Sequence, residues 1–269
     1  MSTSPPSPPA SSPPASSPPA SSPPASSPPE KLHILARRFD TREALIDALA
    51  ERLERVITSA PPSSAVMLSG GSTPLPAYRA LATRRLRAAP GLVLLYSDDR
   101  YVPASSEASN YHQTQVLLES LALAPEQVVR VRTELPLAEA ANDYDARLAE
   151  LQRRGVVIRL GLLGLGADGH TASLFTPENL AMARGRRAIA VHRPDGRDGI
   201  SLTPSVFDGV SELVFVVAGA DKTPALTAFL EGSNRSTARQ AVNGRSSVEI
   251  WCDLAAWPQG AGVRLAPSL

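Results

Sequence analysis

From residue 32 onward the chain alternates short apolar runs with stretches of helical periodicity. Residues 32–36 read as a strand. Residues 41–57 place Ala44, Leu45, Ala48, Leu49, Leu53 and Val56 on one helical face, with Asp40 or Thr41 as the cap. Residues 66–68 form a buried strand that enters S-G-G-S-T-P, where Pro74 suits a first helical turn. A strand at 92–96 runs into the polar loop S-D-D-R-Y-V-P. A helix over about 109–121, a strand at 128–131 and a helix over 137–153 follow. Residues 156–163 are apolar on both faces, as a central strand requires. Further strands are predicted at 188–191, 201–202, 213–217 and 248–251, with a helix over about 222–230. This alternation predicts a mostly parallel sheet covered by helices on both faces. Ligands bind such sheets at the carboxyl ends of the strands, so loops that follow strands are where chemistry is expected.

Composition sets residues 1–30 apart. S-S-P-P-A recurs with period five from Ala10 to Ala25, and no charge precedes Glu30. Such a segment buries no apolar surface to offset its ordering entropy, and its proline pairs favour extended geometry. It reads as a disordered, semi-stiff tail, without the basic start and apolar core of a secretory signal. Its partner, if it has one, is not legible. Residues 31–269 suit one α/β domain. No apolar run is long enough to span a bilayer, and 27 basic against 26 acidic side chains leave a net charge of +1 without a dense basic block. Neither a membrane nor nucleic acid is expected as partner. The single cysteine, Cys252, reads as a buried structural thiol, which fits a reducing cytoplasm. Of the 27 basic residues only Lys31 and Lys222 are lysine. In so arginine-rich a chain, a lysine marks a place where a compact ammonium suits better than a planar fork.

Three loops that follow strands carry unusual residues. Gly70, Gly71, Ser72 and Thr73 lead into a helix, and their free N–H groups and hydroxyls suit either a phosphate or an ordinary capped turn. Asp98, Asp99 and Arg100 form either a local ion pair or a grip on an anion. The third loop, G-L-G-A-D-G-H-T-A-S-L-F from Gly164 to Phe175, matches G-x-G-x-x-G literally. It fails as a dinucleotide fingerprint, because Pro177 cuts any helix short and Glu178 falls in a turn, not at a strand end. Its Asp168-Gly169-His170 unit instead puts a carboxylate and an imidazole at a strand end. His170 is either a general base or a turn cap.

Together these loops, with S-N-Y at 109–111 and G-A-D-K at 219–222, resemble the 6-phosphogluconolactonase family over residues 32 to about 257. Glucosamine-6-phosphate deaminases are similar in fold, but Arg100 and Ser173-Leu174-Phe175 resemble the lactonases. The resemblance implies a three-layer α/β/α fold with a Rossmann-like sheet of the NagB/RpiA/CoA-transferase type. It implies a cytoplasmic, monomeric enzyme of the pentose phosphate pathway whose partner is a small sugar-phosphate lactone, with no cofactor and no metal. His170 would activate the water that attacks the lactone, and Asp168, Asp98 or Asp99 would orient the imidazole. Gly70, Gly71, Ser72, Thr73, Asp99, Arg100, Lys222 and Arg197 would bind the substrate and its phosphate. A deaminase-type isomerase and a sugar-phosphate-binding protein without catalysis are the alternatives.

The chain departs from the family pattern in places. Gly199 stands before Ile200-Ser201-Leu202-Thr203 where an Arg is usual, with Arg197 two positions earlier, and one residue is inserted before Pro177. Of the other histidines, His33 is expected to be structural, His192 to line the cleft near Arg193 and Arg197, and His112 to sit at a helix start. None has metal-ligand spacing to another.

Overall fold

The computed structural model describes residues 1–4 and 32–266. The chain divides into two units, Met1–Glu30 and Lys31–Leu269. The proline-rich tail, apart from its first four residues, and Lys31 lie outside the described residues. Within the second unit the first half runs β1 (His33–Phe39), α1 (Arg42–Ser59), β2 (Ser64–Leu68), α2 (Leu75–Ala82), β3 (Val93–Tyr96), β4 (Asp98–Arg100), α3 (Asn110–Ser120), β5 (Val128–Val129) and α4 (Leu137–Arg153). The second half runs β6 (Val157–Gly164), α5 (Pro177–Met182), β7 (Ala188–His192), β8 (Asp198–Leu202), α6 (Pro204–Asp208), β9 (Glu212–Val217), α7 (Thr223–Leu230), α8 (Thr237–Ala241) and β10 (Ser247–Asp253).

Seven strands pair in parallel in the order β1-β10-β9-β6-β2-β3-β5, which puts β6 at the centre. Successive side chains of a strand point to opposite faces, and here both faces are covered. Val66, Leu68, Leu94, Leu160, Leu162, Val214 and Val216 pack beneath α1, α2 and α3. Their neighbours Ala65, Met67, Leu95, Leu163, Leu213, Phe215 and Val217 pack with α4, α7 and α8. The first half of β6 is only partly buried: Val157 and Ile158 line an open cleft, and the Arg159 side chain donates to the Ser64 hydroxyl. Cys252 is buried on β10, and burial pushes its thiol up to about 12. Among the described residues no helix is long and apolar enough to cross a membrane.

Helix α1 begins where the sequence marks it, with the Thr41 hydroxyl accepting from the N–H of Ala44. Its buried face is Leu45, Leu49, Leu53 and Ile57, an i, i+4 row, so Ala44 is left exposed. The edge of the parallel sheet at β3 is finished by a side chain. Strand β5 covers only Leu94 and Leu95, and beyond it the buried Tyr144 hydroxyl accepts from the N–H of Tyr96 and donates to its carbonyl, at 3.0 and 2.6 Å.

Several expectations need correction. Residues 98–100 are not loop: they form β4, which pairs antiparallel with β8, and β8 pairs antiparallel with β7. The strands expected near 188–191 and 201–202 therefore build a second, three-stranded sheet joined by the turn at Pro194-Asp195-Gly196. Pro177 does not cut a helix short; it occupies the first turn of α5, capped by Thr176, and Glu178 lies in that first turn. Helices α6 and α8 were not expected, being five residues each and too short to show a period. The strand expected at 128–131 stops at Val129. His33, expected to be structural, is exposed at the start of β1, where its N–H donates to the carbonyl of Ser246.

Candidate active site

At the carboxyl ends of β2, β3, β6 and β9 lies a cleft of about 290 Å³. It is lined by the 69–74 loop, Asp98, Arg100, Asn110, His170, Arg193 and Lys222, among others. A larger cleft of about 410 Å³ lies at the amino end of β6 against Leu148, Leu151 and Val156, where the only charged groups are Arg186 and Arg187. Of these two, only the smaller is lined by a histidine and a carboxylate.

The centre of the site is the turn that follows β6. Gly169 takes φ +87°, and its N–H donates to the carbonyl of Gly166, while the N–H of Gly166 donates back to the carbonyl of His170. This tight loop folds the His170 ring onto Asp168, with Nδ1 2.5 Å from Oδ1. The imidazole Nδ1 is thereby occupied, and Nε2 is the nitrogen left for a ligand. That hydrogen bond from His170 holds the Asp168 carboxyl below its ordinary range. Gly166 is required by this arrangement, since a Cβ there would lie 2.1 Å from Nδ1 and 2.4 Å from the Asp168 oxygen. The ring of Phe175 packs against the imidazole at 4.2 Å between centroids. Helix α8 braces the loop from behind, the N–H of Ala238 donating to the carbonyl of Gly169 and the Thr237 hydroxyl to that of Leu174.

The 69–74 loop is shaped by its neighbour α3. A Cβ on Gly70 would lie 1.8 Å from Oδ1 of Asn110, so only glycine lets this buried amide sit against the loop. The same Oδ1 accepts from Arg100, and Nδ2 donates to the carbonyl of Asp98 at 2.9 Å. Asn110 thus joins the first loop to the second. Gly71 takes φ +104°, where an L side chain is strained. Lys222 ends a 3-10 turn just before α7 and, among the described residues, pairs only with the two-thirds exposed Asp221, at 3.4 Å. That turn is held by Asp253, whose carboxylate accepts from the N–H of Gly219 at 3.1 Å.

Asp98 and Asp99 point in different directions, as successive strand residues must. Asp99 is buried and accepts from the N–H groups of Arg100, Asn110 and Tyr111 and from the Ser109 hydroxyl. Burial pushes its carboxyl up to about 6 despite these donors. It secures the start of α3 and does not line the cleft, so its expected place among the substrate contacts is corrected. Asp98 does line the cleft, and its Oδ2 accepts from the Ser173 hydroxyl at 2.6 Å. Neither carboxylate touches His170; Asp168 is the one that does.

Arg197 does not reach the cleft either. It is exposed beyond the β7–β8 turn, where its N–H donates to Asp195. The guanidinium that lines the site from this hairpin is Arg193, which sequence reasoning set near the cleft but gave no role. Its stem lies over Gly199, where a Cβ would meet the Arg193 Cδ at 3.1 Å and the Asp99 carbonyl at 3.2 Å. The absence of a side chain at Gly199 therefore makes the room that Arg193 fills. The P-D-G turn was the available signal, since it predicts a hairpin that folds residue 193 back across 199. His192 pairs with Asp198 at 3.1 Å with its side chain 73% exposed, and it does not line the cleft. His112 lies in the first turn of α3, as expected. Among the described residues, no group of three or more His, Cys, Asp or Glu side chains is placed to hold a metal ion.

The family model for glucosamine-6-phosphate isomerases/6-phosphogluconolactonase matches residues 40–251. A 6-phosphogluconolactonase of Treponema pallidum is 35% identical over 184 residues, covering 63% of this chain and 73% of its own. One of Homo sapiens is 32% identical over 199 residues, 70% of this chain and 76% of its own. The solved 6-phosphogluconolactonase of Trypanosoma brucei superposes with a TM-score of 0.72 at 23% identity, over 84% of this chain and 98% of that one. At that identity the likeness carries the fold, and the three-layer arrangement is common to both.

Proposed function

The chain belongs to the family of glucosamine-6-phosphate isomerases and 6-phosphogluconolactonases, and from that premise we propose how its cleft hydrolyses 6-phospho-D-glucono-1,5-lactone to 6-phospho-D-gluconate. Lactone hydrolysis is the activity its relatives carry by name, and it places the chain in the pentose phosphate pathway. The observation that carries the mechanism is the His170–Asp168 contact at the mouth of the central strand. Asp168 fixes the tautomer with the proton on Nδ1, and Nε2 takes a proton from water as the water oxygen bonds to the lactone C1. The imidazolium formed is stabilised by Asp168 and returns the proton to the ring oxygen as the C1–O bond breaks. A δ-lactone is an activated ester, so a positioned base and donors for the developing oxyanion suffice.

The 6-phosphate is a dianion near neutral pH and needs cations that are not already neutralised. Arg100 has no carboxylate within ion-pair distance among the described residues, and Lys222 has only the exposed Asp221. These two, with the N–H groups of Gly71, Ser72 and Thr73 at the start of α2, form the phosphate clamp. The test is lactone loss above the spontaneous rate, with glucosamine 6-phosphate as the competing substrate. Rapid loss of the lactone and no ammonia release is the expected result. Ammonia release without lactone loss would overturn the reading in favour of a deaminase.

A further inference from the structure

Arg193 and Asp98 line the cleft, and the clamp uses neither. Arg193 is the cation of the two. It comes from the turn after β7, and its side chain is only 10% exposed. Its Nη1 donates to the Ser173 hydroxyl at 2.6 Å and lies 3.8 Å from the Asp98 carboxylate, itself 7% exposed. Ser173 stands between them, donating to Asp98 at 2.6 Å. The guanidinium is also stacked over Phe175, 5.1 Å from the ring centroid, and that ring lies against His170. The fork is therefore held from its edge and from its face, beside the base. Its Nε also lies 3.4 Å from the Asp195 carboxylate, so two carboxylates offset the arginine charge, the Asp98 one with little screening by water. A neutralised guanidinium is a poor partner for a dianion, and a carboxylate beside it repels one. What the pair offers is a set of fixed donors next to a fixed acceptor, which is how vicinal hydroxyls of a sugar ring are matched.

We propose that Arg193 and Asp98 form a hydroxyl-reading pair that sets the specificity of this site for the polyhydroxylated lactone ring, apart from its phosphate. This rests on the lactonase reading. Arg193 touches substrate oxygens through its donors, Asp98 accepts from a ring hydroxyl, and Ser173 keeps the two in register.

The experiment compares Arg193→Ala and Arg193→Lys with wild type on three substrates: the 6-phospholactone, unphosphorylated glucono-1,5-lactone, and the deoxy-6-phospholactones that lack one ring hydroxyl at a time. Loss of one charge-assisted hydrogen bond predicts a fall in kcat/KM of about 10- to 100-fold for Arg193→Ala. The fall should be the same with and without the phosphate, and it should shrink severalfold on one deoxy substrate. Arg193→Lys, keeping one donor, should recover part of it. A penalty that disappears on the unphosphorylated lactone makes Arg193 a phosphate ligand and overturns the proposal. An equal penalty on every deoxy substrate leaves Arg193 a support for Phe175 and also overturns it. Calorimetric binding of gluconate and of 6-phosphogluconate reads the same difference without turnover. A wild type inactive on all lactones, but with Arg193-dependent gluconate binding, would sink the lactonase reading and leave the pair standing.

Discussion

Gly166→Ala isolates the geometry of the acid–base dyad from its chemistry, because it removes neither His170 nor Asp168. The new methyl would lie 2.1 Å from Nδ1 and 2.4 Å from the Asp168 oxygen. Ordinary van der Waals contact begins near 3.4 Å, so the ring or the turn must retreat by more than an ångström. The 2.5 Å contact between the two side chains does not survive such a shift. Misplacement of a reacting group by about 1 Å costs about 100-fold in rate, so kcat should fall by about that factor with KM changed little. Stability should not fall in parallel. Gly166 is not at positive φ and the atoms that must give way are the ends of two partly exposed side chains, so the cost falls on the dyad and not on the core. The assay is initial-rate lactone loss beside urea unfolding of both proteins. Wild-type kcat in a folded Gly166→Ala protein would refute the reasoning, because catalysis would then not depend on the His170–Asp168 contact.

Three further outcomes follow from contacts described above. Tyr144→Phe strands both the N–H and the carbonyl of Tyr96 at the buried sheet edge, and should cost about 1–3 kcal/mol in chemical denaturation with kcat nearly unchanged; a loss below 0.5 kcal/mol (roughly the scatter of a surface substitution) would show that water replaces the hydroxyl. Because the folded carboxyl of Asp99 lies up at about 6, above its ordinary 3.8, the folded chain binds this proton more tightly and its share of stability is lost as pH rises through that window, by about 3 kcal/mol. Asp99→Asn should flatten the slope while lowering stability at every pH, since its amide NH₂ meets N–H donors at the start of α3; an unchanged slope would assign it to other groups. Lys222→Ala should raise KM for the phospholactone about 10-fold or more and leave the unphosphorylated lactone unaffected, and equal losses on both would remove Lys222 from the clamp.

The sheet was legible where strands are buried on both sides, as at β6 and β9, and where caps are explicit, as at Thr41 and Ser109. The second sheet was not, because β4 is Asp-Asp-Arg, without an apolar pattern, and its partner β8 lies far off in sequence. That gap had a cost at the site. Reading 98–100 as loop left Asp98 and Asp99 unranked as partners of the imidazole and put Asp99 among the substrate contacts, whereas strand alternation sends Asp98 into the cleft and Asp99 under α3. Missing the β7–β8 hairpin favoured Arg197, the nearer residue in sequence, over Arg193, the nearer one in space. His170, Asp168 and the Gly70–Thr73 loop needed no such information, since each lies directly behind a parallel strand or at the start of the helix after it.

The most direct measurement is the rate of 6-phosphogluconolactone loss catalysed by His170→Ala and His170→Asn, set against the spontaneous rate and the wild type. Removal of a general base predicts a fall in kcat of about 10²- to 10⁴-fold, with KM and binding of 6-phosphogluconate retained because the clamp is untouched. Wild-type turnover by either folded variant would contradict the account, since the water would then be activated without the imidazole.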